Sequence, residues 1–221
     1  MVRHPSNFVR PADLEAQVVA LDRAGYEPIT LPQWIAARDG RAQLPPRPIV
    51  LTFDDGYQTF ADLAWPILAR HGWTATVFVV SGRVGGTNDW DADEVRMPLL
   101  DAATLRELIT AGATVGAHSE THRPLARIAR ADAVVELQQS RRTLETLLGQ
   151  PVTTMAWPYN NQRRAVRGLA REAGYVAAVR GRGRVNTRFT DPLALYRIKA
   201  DLTTSPSALC DALTRRHLLP W

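Results

Sequence analysis

Short apolar runs alternate along this chain with longer stretches in which apolar residues recur every three or four positions. The runs at 49–53, 74–80, 113–116, 153–157, 175–179 and 195–200 read as buried strands, because they show little alternation of polar and apolar positions. A shorter run at 29–31 reads the same way. The stretches 11–25, 59–71, 101–112, 131–148 and 162–173 read as amphipathic helices that stop at Gly25, Gly72, Gly112, Gly149 and Gly174. Pro32 opens a further short helix over 32–38, and Pro206 lies in the first turn of a last one over 205–216. Strand and helix in alternation, with short turns, mean right-handed βαβ connections and a parallel sheet. An open doubly wound sheet and a closed or distorted barrel both fit. No strand-to-helix turn carries a glycine-rich phosphate loop, which disfavours nucleotide folds.

In parallel α/β folds the chemistry gathers at the C-terminal ends of the strands. Three strand ends stand out here: Asp54-Asp55-Gly56, His118 with His122, and Trp157-Pro158-Tyr159. Adjacent carboxylates raise each other's pKa unless a cation or a donor compensates. One of them could simply cap a helix while the other is solvated. Two histidines four apart can face one way on a helical turn and hold one cation; a carboxylate as third ligand leaves a position open for water, as catalytic metal sites do. The histidine pair alone is weak evidence. Beside a double aspartate at another strand end, it favours a metal. The long irregular stretch 81–100 carries Asp89, Asp91, Asp93 and Glu94 without the ligand order or central glycine of a calcium loop, and reads as a solvated insertion.

Composition narrows the picture further. At 221 residues, 45% of them hydrophobic, the whole chain 1–221 fits a single domain with a substantial core. Cys210 is the only cysteine, so no internal disulfide frames the fold. The net charge of +5 comes almost wholly from arginine, with Lys199 the one lysine. No basic run is interleaved with aromatics, so nucleic acid is not an expected partner; the loop Arg180-Gly181-Arg182-Gly183-Arg184 reads as a basic loop. No stretch is long and apolar enough to span a bilayer, and residues 1–10 carry no signal-peptide core. The chain as given is expected in the cytoplasm, or exported or membrane-associated if its N-terminus is trimmed. Nothing in the sequence indicates an oligomeric state.

Thr52-Phe53-Asp54-Asp55-Gly56 and His118-Ser119-Glu120-Thr121-His122 closely resemble the first two motifs of the polysaccharide deacetylases, the NodB-homology domain of carbohydrate esterase family four. The resemblance runs over nearly the whole chain. The stretch 8–26, Leu44-Pro45-Pro46-Arg47 and Ala156-Trp157-Pro158-Tyr159 are most similar to the branch acting on poly-N-acetylglucosamine. The resemblance implies a distorted (β/α) barrel with seven or so βα units and a divalent metal, usually zinc, on Asp55, His118 and His122. It makes Asp54 the general base and puts the backbone N–H of Tyr159 beside the oxyanion. Asp55 would be neutralised by the metal, leaving Asp54 ionised to take a proton from water. Trp157, Pro158, Tyr159, Leu195 and Arg197 would line the substrate site, with Trp157 and Tyr159 as a stacking wall and Leu195 against the acetyl methyl. Packed core is an equal reading for Trp157. The implied substrate is an acetylated amino-sugar polymer or glycoconjugate. The implied reaction is hydrolysis of its N-acetyl groups. The alternative is a carbohydrate-binding domain that keeps the metal and lacks turnover.

Two departures from the family pattern bear on that choice. Ala156 stands where many members carry an arginine that steadies the base, which leaves Arg180 and Arg197 as candidates to orient Asp54. In the Leu-x-His motif that often supplies the general acid, this chain reads Leu195-Tyr196-Arg197, and arginine does not give up its proton at working pH. His71, His217 and His4 lie away from the strand ends. Asp54 could return its proton to the leaving amine, or the acid could lie elsewhere.

Overall fold

Eight short strands, all parallel to their neighbours, carry the fold in a computed structural model that describes residues 8–92, 95–181 and 183–214. His4, Asp93, Glu94, Arg182 and His217 lie outside the described residues. Strands β1 (Glu27–Pro28) and β2 (Pro48–Ile49) pair with each other. Strands β3 (Thr52–Phe53), β4 (Thr76–Val79), β5 (Thr114–Ala117), β6 (Thr154–Ala156), β7 (Ala177–Arg180) and β8 (Leu195–Tyr196) form one sheet in chain order. Helices α1 (Pro11–Arg23), α2 (Leu31–Arg38), α3 (Trp65–Arg70), α4 (Ala102–Thr110), α5 (Arg130–Leu148), α6 (Arg164–Glu172) and α7 (Pro206–Thr214) complete the alternation.

A sequential sheet of six strands has β3 and β8 at its two edges. Here those edges meet. Arg197, just past β8, donates to the Thr52 hydroxyl of β3 at 3.2 Å and to Asp54 just beyond it. The sheet is therefore curled into a half-barrel, as the sequence led us to expect. Its two faces divide with the period of two that a strand imposes. Phe78, Ala156, Ala177, Val179 and Leu195 form the inner cluster, closed by Ile29, Leu31, Trp34 and Ile35 from the β1–α2 segment. Val77, Val79, Ala117, Met155, Trp157 and Ala178 belong to the outer cluster, packed with the helices.

Several boundaries differ from the sequence reading for local reasons. The run 49–53 is two strands: β2 pairs with β1, and β3 pairs with β4. Thr30 belongs to no strand. Its hydroxyl accepts from Gln33 N–H at 3.2 Å while the Gln33 side chain accepts from Thr30 N–H, a capping box that starts α2. The helix expected over 59–71 opens as a π-turn, Phe60–Ala64, before α3. Pro66, which has no N–H to give, accounts for the widened turn.

Gly116 is fixed by packing. A Cβ there would lie 2.5 Å from the Phe78 ring and 2.9 Å from Thr154 Oγ1, inside the half-barrel. Gly116→Ala is expected to destabilise the fold by about 1–3 kcal/mol, lowering the melting temperature by roughly 3–10 °C. Combining it with Phe78→Leu should recover part of the loss in a thermal melt; no recovery would mean that the clash lies elsewhere.

Candidate active site

Asp54 and Asp55 follow β3 directly and part at once. Asp55 adopts φ +72° and Gly56 φ +77°, so the chain reverses and the two carboxylates face different partners. Asp54 is held by a two-pronged bond: Arg197 Nη1 donates to Oδ1 at 2.6 Å and Nη2 to Oδ2 at 2.7 Å. Burial alone would push the Asp54 carboxyl up. The guanidinium overrides burial and holds it below the usual carboxylate range. Arg180, the other candidate to orient Asp54, bonds the Ala194 carbonyl and stacks on Tyr196 instead.

Asp55 faces the two histidines. Its Oδ1 lies 3.4 Å from His118 Nε2 and 3.3 Å from His122 Nε2. His118 donates from Nδ1 to the Ala156 carbonyl at 2.9 Å, which leaves Nε2 free to act as a ligand. One donor atom from each of the three residues falls within 4.8 Å of the others. Burial and the carboxylates act oppositely on the two rings. Against burial, Asp55 and Asp54 hold His118 above the ordinary imidazole range; burial wins at His122 and holds it below. Two imidazoles and one carboxylate around one point fit a divalent cation such as zinc, with room for water as a further ligand.

The histidines do not sit on a helical turn. Ser119 and His122 have φ +62° and +63°, and the loop between them is tied from outside. Ser119 Oγ accepts from His122 N–H at 3.0 Å. Glu136 of α5, only 5% exposed, accepts the backbone N–H groups of Glu120 and Thr121 at 3.0 and 2.8 Å, and the Thr121 hydroxyl as well. Glu136 thus satisfies the donors that such a turn would leave buried and unpaired. Its trace in the sequence is an acid on the buried face of α5, one turn before Ser140.

The other expected site residues separate. Tyr159 is 53% exposed, with φ +55°, and its ring stands edge-on to His122 at 4.6 Å. Trp157 is 1% exposed, and its indole N–H donates to the Leu193 carbonyl at 2.9 Å. It packs in the outer core cluster, toward the helices, and borders the cleft. Pro158 is buried beside it. Leu195, 2% exposed, belongs to the inner cluster and lines the floor of the cleft. Arg197, expected against the substrate, is engaged by Asp54. His71 lies 3.8 Å from Glu15, apart from these groups. Trp90, to which the sequence assigned no role, packs on His122 with ring centroids 4.8 Å apart. The cleft over these residues has a volume of about 730 Å³.

A model of the family described as polysaccharide deacetylase matches residues 41–178. The chain is 40% identical over 86 residues to poly-beta-1,6-N-acetyl-D-glucosamine N-deacetylase of Escherichia coli K12; the match takes in 39% of this chain and 12% of that enzyme. The enzyme of the same name from Staphylococcus aureus MSSA476 is 24% identical over 163 residues, 68% of this chain and 53% of that one. The chain thus spans only part of these curated relatives. In fold it is similar to the Streptococcus pyogenes deacetylase PplD, solved with acetate: the TM-score is 0.82 at 20% identity, covering 96% of this chain and 92% of that one.

The Arg197–Asp54 pair has a signature in acid. A carboxyl lowered in the folded state contributes stability that is complete above its unfolded pKa of about 3.9 and is lost as pH falls through the lower folded value. In Arg197→Met the guanidinium no longer opposes burial at Asp54. That variant is expected to be about 1–3 kcal/mol less stable at neutral pH, allowing for solvent in the cleft, and to approach the wild type in stability as pH falls below about 4, where the wild type loses its Asp54 contribution, as followed by denaturant melts at several pH values with circular dichroism.

Proposed function

The chain belongs to the polysaccharide deacetylase family, and we propose that it hydrolyses the N-acetyl groups of an N-acetylhexosamine polymer or glycoconjugate. Poly-β-1,6-N-acetylglucosamine is the first polymer to test, since the Escherichia coli and Staphylococcus aureus relatives are named for it. The observation that carries the reading is the placement of an arginine-held aspartate next to a three-donor cation site.

Asp55, His118 and His122 would hold the cation. A divalent ion bound there supplies acidity to water and polarisation to the acetyl carbonyl. The protein's own groups do the rest. Asp54 Oδ accepts the proton of the attacking water, and Arg197 keeps that carboxylate ionised and aimed. Water oxygen bonds to the acetamide carbon and the carbon–nitrogen bond breaks, giving acetate and a free amine. Asp54 carries its proton back to the departing nitrogen, which needs no histidine at position 197. The Tyr159 backbone N–H is assigned to the developing oxyanion, and a cation held by Asp55, His118 and His122 would add positive charge on the same side. Leu195 and Val179 line an apolar floor suited to the acetyl methyl.

Purified protein loaded with zinc and given β-1,6-linked N-acetylglucosamine oligomers is expected to release acetate and free amine in equal amounts. Asp54→Asn should lower kcat by about 10²–10⁴-fold with little change in metal content. Removing the metal with a chelator should abolish turnover, and adding zinc back should restore it. Metal-loaded protein that binds the oligomers and releases no acetate would instead support a carbohydrate-binding domain.

A further inference from the structure

The two histidines of the cation site are supported unequally. His118 has its outer nitrogen on the Ala156 carbonyl. His122 has none: Nδ1 is buried and has no hydrogen-bond partner among the described residues. With Nε2 given to the cation, Nδ1 carries the ring proton and is a buried donor. The ring packed on it, Trp90, has the same deficit at Nε1. Two buried donors on touching rings each cost about 1–3 kcal/mol if they stay unmatched, so one acceptor shared between them is strongly favoured.

The segment that brings Trp90 here is firmly built. Asn88 is 1% exposed, and its side chain donates to the Val95 carbonyl at 3.1 Å and accepts from Met97 N–H at 2.7 Å. Arg96 donates to the Asn88 carbonyl at 2.7 Å, and Arg83 pairs with Asp89 at 2.5 Å. The residue after Trp90 is Asp91, a lining residue of the same cleft. Its charge acts on His122 from the side of the insertion and on the Tyr159 hydroxyl as well. The other charged groups acting on His122 are His118 and Asp55, both of the cation site itself.

We infer that the Trp90–Asp91 corner is the outer support of His122. The Asp91 carboxylate takes the Nδ1–H of His122 and the Nε1–H of Trp90 through one bridging water. Such a water accepts two bonds and donates one, a normal set of partners for a buried site. Asp91 is then a positioning residue: it fixes the tautomer and tilt of His122 and strengthens it as a ligand. This rests on Asp55, His118 and His122 holding a cation.

The test reads metal binding directly. The zinc dissociation constant is measured by competition with a chromophoric chelator for wild type, Asp91→Ala and Asp91→Asn. Melting temperatures are recorded with and without zinc. Both variants are expected to bind zinc about 10–100-fold more weakly and to show a smaller zinc-induced rise in melting temperature, measured from each variant's own metal-free value. Affinity within twofold of wild type in either variant overturns the inference and leaves the proposed function standing. A lower metal-free melting temperature with an undiminished zinc-induced rise shows a merely structural role and overturns it too. Wild-type protein that binds no zinc, cobalt or nickel removes the cation site, and this inference falls with it.

Discussion

The pair between Arg197 and Asp54 is the interaction on which the rest of this molecule depends. It links the first and last strands of a six-stranded parallel sheet. The same two bonds turn the Asp54 carboxylate away from its neighbour and keep it charged. Asp55 is thereby left to the histidines. A closure made by a loop or an apolar contact would have curled the sheet equally well and left two adjacent acids uncompensated. Because closure and charge compensation are one contact, the geometry of the site is inherited from the geometry of the barrel.

Much of this was legible in the sequence, and the parts that were not share a cause. Strand ends, helix stops and the parallel order follow from local pattern, and Asp55, His118 and His122, which could hold a cation, lie close together beyond the ends of β3 and β5. Where the chain must choose between partners, the pattern is silent. Ile49 and Phe53 lie in one apolar run, yet β2 and β3 serve different pairings. Trp157 and Trp90 are alike as residue types; the phase of β6 buries the first, and an insertion with no periodicity carries the second to His122. Arg197 was one of two candidates to hold Asp54. Only the curl of the sheet brings residues 143 positions apart into contact, and no local signal records that.

Glu136 and Ala156 show a further limit. Both support histidine-bearing turns through backbone atoms: Glu136 accepts N–H groups of residues 120 and 121, and Ala156 offers its carbonyl to His118. A carbonyl belongs to any residue, so the sequence cannot mark it. A carboxylate on a helix face is marked, but nothing distinguishes it from a solvated one until the loop above it is placed. The positions of candidate ligands are thus easier to read than the atoms that aim them.

Among the described residues, those other than glycine with positive φ are Asp55, Ser119, His122, Tyr159 and Asn160; four of them line the cleft, and Ser119 lies buried between the two histidines. Left-handed backbone at such residues costs on the order of 1 kcal/mol or more each, so the rim stands at a local disadvantage that the rest of the fold must offset. For anyone hardening this protein for use at high temperature, that divides the chain into two territories. Helix faces and the outer side of the sheet are open to the usual stabilising changes. At these five positions a residue that relaxes the backbone would gain thermal tolerance by moving the very groups the cleft exists to present.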